Sequence, residues 1–582
     1  MQAVETVLLN PVVPRIGTNV MQDSSRSNVS KTLPRWGEGL ARLRAWENDF
    51  RMLAAKGGFS ELNLPLSLPT SEFISGLTGE NTLPAAPRFL DTTATEWSLR
   101  SDLTLFSAQF VCRHAADLQF PFKLFYSGKV FSPQGILGAE GFRLGHANEF
   151  ESFEFGAEII GQKELEAELE LLDLALAALG SFGYSGLRVV LGDARILRHF
   201  EEQVSNRVCD VVQRSALLHE FRTAVHNKDF ALLSDIFTRI EISFDRMRDS
   251  CTAYAQLFTL KDQLEHRYPM VSFQCDPLLT RQRQFYTGLI FDFWAEDAEG
   301  CLHNVGGGGR YDHLLSHFGR PHAAAGFMIR DPQTAGVETQ SAEISLMQTE
   351  ASAKKIRRPV RIALPKGRLM QWGTEVFSHV GIKTVENLDT TRKLVLPSAC
   401  GNYEFLLVKN ADALSYVERG IAEIAIVGSD VLDEQPNSLL RPLTFSFGSC
   451  RICLAGRPEV RPLFQDSRKK RVATKYPTLA LKMLRERGLS TELVPLQGSV
   501  ELASVISFCD AIVDLVETGS TLRENGLVIY EELTRTRVQL VMSRGFYVEA
   551  ESMLREWLKA WEDKEFVLQK HFVIEVSGDC RT

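Results

Sequence analysis

From residue 360 onward, short apolar runs alternate with helix-forming runs, and this alternation constrains the fold most. VRIALP (360–365) reads as a strand, and KGRLMQWGTEVFSHVG reads as a helix ended by glycine. EFLLVK (404–409), DALSYVERG and IAEIAIVG (421–428) then repeat strand, helix, strand. Such runs build α/β layers, with a parallel or mixed sheet covered by helices. AIVDLV, at 511–516, is nearly all apolar, as expected of a strand buried on both faces, and a helix begins at TLRENG.

The part before this is different. KELEAELELLDLALAALG (163–180) reads as an amphipathic helix stopped by glycine, and LRVVLG (187–192) as a strand. Residues 197–268 are rich in helix formers and poor in Gly and Pro, so a helical insertion is expected there. QFYTGLIFDF (284–293) reads as a strand, and GGGGRYDHLLSHFG as a turn into a helix, with His313 and His317 four apart on it. That spacing permits a metal pair, or simply an exposed helix face. Residues 332–358 are polar, lack an apolar period and end in KKIRR, as a solvated linker would.

A chain of 582 residues is too long for one core. The expected organisation is a flexible leader (1–35), a first domain (36–333), a linker (334–358) and a second domain (359–582). The second domain divides into a lobe of 359–452 plus 546–582 and a lobe of 453–545. The fold class is α/β and α+β multidomain.

The net charge of −8 argues against broad nucleic-acid binding through a basic surface, while a local phosphate site, which needs only a few donors, stays open. No apolar run is long enough to span a bilayer, and the N-terminus lacks a basic start followed by an apolar core. The ten cysteines are scattered, which suits a reducing cytoplasm. Cys450 and Cys453 form a lone C-x-x-C whose apolar neighbours suggest a buried strand.

Between AIVDLV and TLRENG stand Glu517, Thr518, Gly519, Ser520 and Thr521. A strand-to-helix turn exposes backbone amides that have no partner within the helix and attract anions. Gly519 lets the backbone approach closely. A helix end alone contributes about 1 kcal/mol. Micromolar affinity needs about 8 kcal/mol, so several amides and hydroxyls must act together. The neighbouring carboxylates make sense if the anion belongs to a sugar phosphate, since they accept hydrogen bonds from ribose hydroxyls. Read alone, ETGST also serves as a helix cap.

LQGSVELASVISFCDAIVDLVETGSTLRENGL resembles the phosphoribosyl-diphosphate (PRPP) segment of ATP phosphoribosyltransferase, which starts histidine biosynthesis. RIALPKGRL, TRKL, YVERGIAEIAIVGSDVLDE, FGSCRICLAG and RVATKYPTLA follow the same family's order, so the resemblance covers about 360–582. It implies the short form of the enzyme, a two-lobed α/β fold like that of periplasmic binding proteins. By the same resemblance, Glu501 and Asp514 face the PRPP ribose, and Thr518, Gly519, Ser520 and Thr521, with Glu517 beside them, cradle its 5-phosphate. Lys366 and Arg368 reach the diphosphate or the ATP phosphates, although Lys366 also reads as a solvated loop lysine. Arg392, Asp430 and Tyr476 line the ATP side, or merely pack domain faces in the case of Arg392 and Tyr476. The implied reaction joins N1 of adenine to C1 of PRPP and expels diphosphate. Mg²⁺ is implied on the substrate phosphates, with no dedicated protein metal site.

LRSDLTLFSAQFVCRHA (99–115), FYSGKVFSPQ (125–134), FESFEFGAEIIG (150–161), RQRQFYTGLIFDF (281–293) and GGGGRYDHLLSHFG (306–319) resemble the histidyl-tRNA synthetase core. They resemble still more its non-catalytic paralogue, the regulatory subunit of short-form ATP phosphoribosyltransferase. This implies a class II synthetase-like antiparallel sheet. Ser132 falls where an arginine would grip the ATP α-phosphate, and Gln333 falls near the other nucleotide arginine. Serine and glutamine cannot replace bidentate guanidinium contacts, so adenylation is not expected. The amino-acid pocket is better kept: Asp102, Glu154, Glu158, Arg281 and Tyr286 match positions that hold histidine, though Gln284 replaces an acid. The GGGG run is expected to give close backbone packing beside that pocket. A pocket that holds histidine without activating it is a sensor, although the fold could also survive only as a scaffold.

The two resemblances together imply a fused enzyme using ATP and PRPP, inhibited by histidine, cytoplasmic, and a homo-oligomer (dimer or higher). No nucleic acid or membrane partner is expected. One rival reading is a tRNA- or histidine-binding synthetase relic with a non-catalytic ligand-binding domain. A second is a small-molecule sensor.

Overall fold

The computed structural model describes residues 37–71, 87–131, 151–281, 285–332, 358–460 and 469–567, together with Val337 and apart from 164, 387, 389–390, 497, 563 and 565. The leader, Ser132, Gln284, Gln333 and nearly all of the linker lie outside the described residues.

The first half is built on an eight-stranded sheet. Its order is Ser60–Glu61, Phe122–Phe131, Glu151–Ile160, Ala324–Arg330, Leu302–Arg310, Leu289–Glu296, Ser185–Asp193, Ser272–Cys275. The outermost pairs are parallel and all inner pairs are antiparallel, as expected. A three-stranded sheet of Ser67–Pro69, Glu96–Leu99 and Arg88–Leu90 stands apart. Helices Glu38–Lys56 and Glu166–Ser181 cover one face through Phe50, Leu171, Leu172, Ala175 and Leu179, all fully buried. The expected insertion is helical: Ala194–Arg207, Val211–Asn227, Phe230–Arg239, Phe244–Asp249 and Thr252–Arg267. Four of these five begin at Asp193, Asp210, Asp229 and Ser243, whose side chains accept a first-turn amide.

Two local expectations need correction. The strand expected at 284–293 begins at Leu289, because Phe285 and Tyr286 pack beside the helix Leu103–His114 instead of joining the sheet. The glycines of GGGGRYD are inside the strand Leu302–Arg310, and only a single 3-10 turn, Leu315–Phe318, follows. His313 and His317 therefore do not share an α-helix face.

The second half contains two sheets. The first runs Val395–Pro397, Tyr403–Val408, Val360–Pro365, Ile424–Gly428, Val538–Met542, Leu440–Thr444. The second runs Thr491–Pro495, Lys470–Thr474, Ala511–Val516, Cys450–Gly456, Val528–Thr536. Both are mixed, with parallel pairs around Val360–Pro365 and Lys470–Thr474. The chain crosses between sheets twice, after Thr444 and at Arg537. The two-lobed expectation is met, but its boundaries move. Cys450 and Ile452 already belong to the second sheet, and Val538–Met542 belongs to the first, where it pairs with Ile424–Gly428. The lobes thus divide near 447 and 537, not at 453 and 545.

The halves are packed together. Val190, Trp294 and Leu302 of the first half form an apolar cluster with Val548 of the second. Gln539 Nε2 donates to Asp229 Oδ2 at 3.2 Å, Arg188 donates to the Val548 carbonyl at 3.3 Å, and Arg544 donates to the His226 carbonyl at 2.8 Å. Among the described residues no helix is long and apolar enough to cross a membrane.

Candidate functional site

The strands Lys470–Thr474 and Ala511–Val516 run parallel, so their C-terminal ends emerge side by side. In open α/β sheets that edge is where ligands bind. Asp514 sits there, 7% exposed. Its Oδ1 accepts the Leu515 N–H at 2.8 Å, and its Oδ2 lies 3.4 Å from Lys475 Nζ. Burial pushes the Asp514 carboxyl up and the nearby Glu501 adds to this, while the Lys475 ammonium opposes it. Glu501 is half-buried on the short helix Val500–Val505, packed against the same strand.

The chain then turns through Glu517, Thr518 and Gly519 into the helix Ser520–Glu524. Gly519 has φ 73°, a left-handed conformation that a side chain would strain. Val516 and Leu522 are buried on either side, while Glu517, Thr518, Ser520 and Thr521 are exposed. The Thr518 and Ser520 hydroxyls are 3.0 Å apart. The turn is therefore exposed on an anchored backbone, with the Ser520 N–H donating to Thr518 Oγ1 at 3.4 Å.

Three contacts cross from one lobe to the other. Arg368, first residue of the helix Arg368–His379, pairs with Glu517. Asp430, 5% exposed on the helix Ser429–Glu434, hydrogen-bonds the Tyr476 hydroxyl. Burial raises both groups above their usual ranges. Glu434 accepts the amides of Thr478 and Leu479, each at 3.0 Å, at the start of the helix Pro477–Glu486. This places a carboxylate at the positive end of a helix.

Of the expected residues, Asp514, Glu501, Glu517 and the 518–521 turn come together on the second lobe, with Arg368 reaching them from the first. Lys366 is exposed two residues before Arg368, its amide bonded to the Val408 carbonyl at 3.0 Å. Asp430 and Tyr476 meet. Arg392 does not join them: it is exposed beside the edge strand Val395–Pro397, which two other strands, Tyr403–Val408 and Val360–Pro365, separate from the one that feeds Asp430. Sequence reasoning missed Lys475 and Glu434. A signal for Lys475 existed, since a cation at the end of one strand neighbours an acid on the next.

The first half holds a second cluster. Glu158 is 1% exposed. Its Oε1 accepts from the Tyr126 hydroxyl at 2.6 Å, and its Oε2 accepts from the Tyr311 hydroxyl. Burial pushes Glu158 up to about 8 despite these bonds. A Cβ at Gly326 would overlap the Glu158 carboxylate, and one at Gly307 would overlap the Arg281 guanidinium. Close backbone approach is thus what the glycines allow, as expected. Arg281 donates to the Phe291 carbonyl at 3.0 Å and to Asp292 at 2.5 Å, and it lies 6.0 Å from the Tyr286 ring centroid. Asp102 caps the helix Leu103–His114 through the Leu105 N–H at 2.8 Å. It acts electrostatically on both Arg281 and Glu158, and Glu154 acts on Arg281, so all five expected residues converge. Tyr126 and Tyr311 were missed, although both stand in the segments FYSGKVFSPQ and GGGGRYDHLLSHFG.

Residues 409–562 match the family model for ATP phosphoribosyltransferase, and residues 37–330 match that for histidyl-tRNA synthetase. An ATP phosphoribosyltransferase of Listeria welshimeri is 43% identical over 188 residues, which cover 32% of this chain and 87% of that protein. One of Clostridium kluyveri is 40% identical over 186 residues, covering 32% and 84%. The ATP phosphoribosyl transferase (HisG:HisZ) complex from Thermotoga maritima is 29% identical with a TM-score of 0.31, covering 35% of this chain and 99% of that one. An ATP phosphoribosyltransferase regulatory subunit/histidyl-tRNA synthetase from Bacillus halodurans is 18% identical with a TM-score of 0.43, covering 67% and 98%.

Proposed function

We infer the reaction from one premise, that the chain belongs to the ATP phosphoribosyltransferase family and carries a histidyl-tRNA synthetase-like first half. The proposed activity is the first step of histidine biosynthesis: ATP and PRPP give N1-(5-phosphoribosyl)-ATP and diphosphate. N1 of adenine attacks C1 of the ribose. The bond from C1 to the diphosphate oxygen breaks, and its electron pair leaves with diphosphate. The protein need supply no nucleophile, so its contribution is positioning and electrostatics.

The observation that carries this reading is the anchored turn at 517–521 beside the buried Asp514. The turn is suited to the 5-phosphate of PRPP. Asp514 and Glu501 then lie beside the ribose, where they accept its hydroxyls and balance positive charge on the ring. Arg368 and Lys366 project from the opposite lobe toward the diphosphate. Arg368 is paired with Glu517 here and would exchange that partner for phosphate. Asp430 and Tyr476, bonded across the lobes, border the ATP side, with Arg392 farther out. Two of the carboxylates on this face have basic partners, Asp514 in Lys475 and Glu517 in Arg368, and no cluster of three metal-ligating side chains stands among the described residues. The donor set therefore fits Mg²⁺ held by substrate phosphates and water, with no ligand of the chain assigned. Mg²⁺ bound in that way would neutralise charge on the diphosphate.

The first half, from about 37 to 332, is the regulatory domain in this reading. The convergence of Asp102, Glu154, Glu158, Arg281 and Tyr286 supports a histidine pocket whose occupancy inhibits the second half. Scattered free cysteines support a cytoplasmic enzyme, and the fused architecture supports a homo-oligomer.

A spectrophotometric assay of phosphoribosyl-ATP formation by the full chain, with and without histidine, tests the proposal. Turnover that requires both ATP and PRPP and falls with histidine is expected. Asp514→Asn should lower turnover at saturating PRPP by over tenfold, about 1.4 kcal/mol of transition-state stabilisation or more. A parent protein with no turnover, or an Asp514→Asn variant at full rate, would reject the assignment.

A further inference from the structure

We propose that Lys475 is a positioning residue for the transfer: its ammonium keeps the Asp514 carboxylate ionised and aimed into the cleft. The inference rests on the reading of this cleft as the transfer site, and its argument starts from strand register. Val472, Ala473 and Thr474 pair in parallel with Ala511, Ile512 and Val513. One step further along both strands, Lys475 stands beside Asp514 and on the same face. Its Nζ lies 3.4 Å from Asp514 Oδ2, and its side chain is 36% exposed against 10% for that of Asp514.

The other titratable neighbours of Asp514 among the described residues act against its ionisation or are neutral. Glu501, on the helix packed against this strand, repels it. Tyr476, one residue beyond Lys475, is held neutral by burial and by Asp430. Cys453, the cross-strand partner on the far side, is a buried thiol raised by burial. Against burial and Glu501 stand, among the described residues, Lys475 and the Leu515 amide, which donates to Oδ1. The two donors take different oxygens, and together they fix the plane of the carboxylate as well as its charge. A carboxylate that must accept ribose hydroxyls and balance an oxocarbenium-like ring has to be ionised when PRPP binds. Lys475 supplies that without occupying the phosphate turn at 518–521.

The test is the pH profile of kcat/KM for PRPP in the full-length protein. It compares the parent, Lys475→Arg, Lys475→Gln, Lys475→Met and Asp514→Asn, with thermal melts to show that each is folded. Removing an opposite charge at this range raises a carboxyl by about 1–3 pH units. The acid limb of Lys475→Gln and Lys475→Met should therefore move up by about one unit or more. Near neutral pH their rates should recover toward that of the parent, and Lys475→Arg should keep the parental limb. The glutamine variant keeps an N–H donor on a side chain one bond shorter, and the methionine variant keeps similar bulk without a donor, so the pair separates the lost charge from lost packing. If both uncharged variants lose activity equally at every pH, with the limb unmoved, the positioning role is overturned while the cleft assignment stands. If Asp514→Asn itself retains full activity, the assignment of the cleft fails instead.

Discussion

Replacing Glu158 with glutamine isolates the energetic consequence of burying a carboxyl in the first half. Glu158 is 1% exposed, faces two phenols, and is raised from an ordinary 4.5 to about 8, first by burial and further by Asp102. Between those two pH values the folded chain keeps a proton that the unfolded chain has released. Unfolding free energy must then fall as pH rises, because the native state binds more protons. The stabilisation from the protonated form is complete below about 4.5, declines through the interval and is gone above about 8. At 1.36 kcal/mol per unit, the 3.5 units between 4.5 and about 8 correspond to about 5 kcal/mol. Glutamine keeps the shape and one acceptor oxygen, and its amide can donate to the other phenol, but it cannot ionise. Urea unfolding of parent and Glu158→Gln at pH 5, 6, 7 and 8, followed by circular dichroism, gives the difference directly. Other titrating groups, such as Asp292 and His226, are common to both proteins and cancel. The stability of the variant relative to the parent should rise by several kcal/mol from pH 5 to 8. Parallel pH dependences for the two proteins would refute the reasoning.

Two further outcomes are expected. Arg544→Met should weaken the joint between the halves by about 2–3 kcal/mol, because the half-buried guanidinium bonds the His226 carbonyl and faces Asp276 and Asp292. Differential scanning calorimetry should then resolve two transitions at a lower first Tm, and an unchanged thermogram would contradict this. Thr521→Val should raise the PRPP KM while leaving Tm nearly unchanged, since its hydroxyl faces solvent in the turn; a fall in Tm with normal KM would mean that the hydroxyl only caps the helix.

The sheet strands were legible where apolar runs are continuous and short, as in Val360–Pro365, Ile424–Gly428 and Ala511–Val516. Burial on both faces imposes that composition. The lobe boundary was not legible, because the strands Val528–Thr536 and Val538–Met542 lie in different sheets yet are separated by Arg537 alone. The polar run Thr534–Arg537 contains no glycine or proline and reads as a continuing exposed strand, so nothing local marks the crossing as a change of sheet. The glycine run misled for a different reason. Its composition suggests a loop, but in the strand it leaves room for Arg281, and Gly326 on the adjacent strand does the same for Glu158. Those requirements come from side chains distant in sequence. At the candidate site, the turn at 517–521 and its neighbouring acids were legible from the residues themselves, while Glu501, Lys366, Arg368, Arg392, Asp430 and Tyr476 came from the family resemblance. The pairing of Lys475 with Asp514 and the bond from Asp430 to Tyr476 needed the register of two sheets and the approach of two lobes.

The joint between the halves also changes the physical basis for regulation. A polar linker alone would join two modules through raised effective concentration, leaving them free to move. Here the contact is a packed one. Val548 enters an apolar cluster with Val190, Trp294 and Leu302, and Asp229, Gln539 and Thr444 form a buried hydrogen-bonded chain across the boundary. Gln539 and Arg544 belong to, or directly follow, the strand Val538–Met542, which enters the first lobe immediately after the crossing at Arg537. That crossing is itself tied to Ser429, next to the cleft residue Asp430, by the Ser429 N–H to the Arg537 carbonyl at 2.8 Å and the Arg537 N–H to Ser429 Oγ at 3.1 Å. On the other side, Asp292 bonds the pocket residue Arg281 and acts electrostatically on Arg544. Packed interiors respond by small discrete shifts, not by free rotation. In the regulatory reading proposed above, a signal between pocket and cleft would pass through this packed joint at the lobe crossing, as a discrete repacking and not as free movement of two tethered modules.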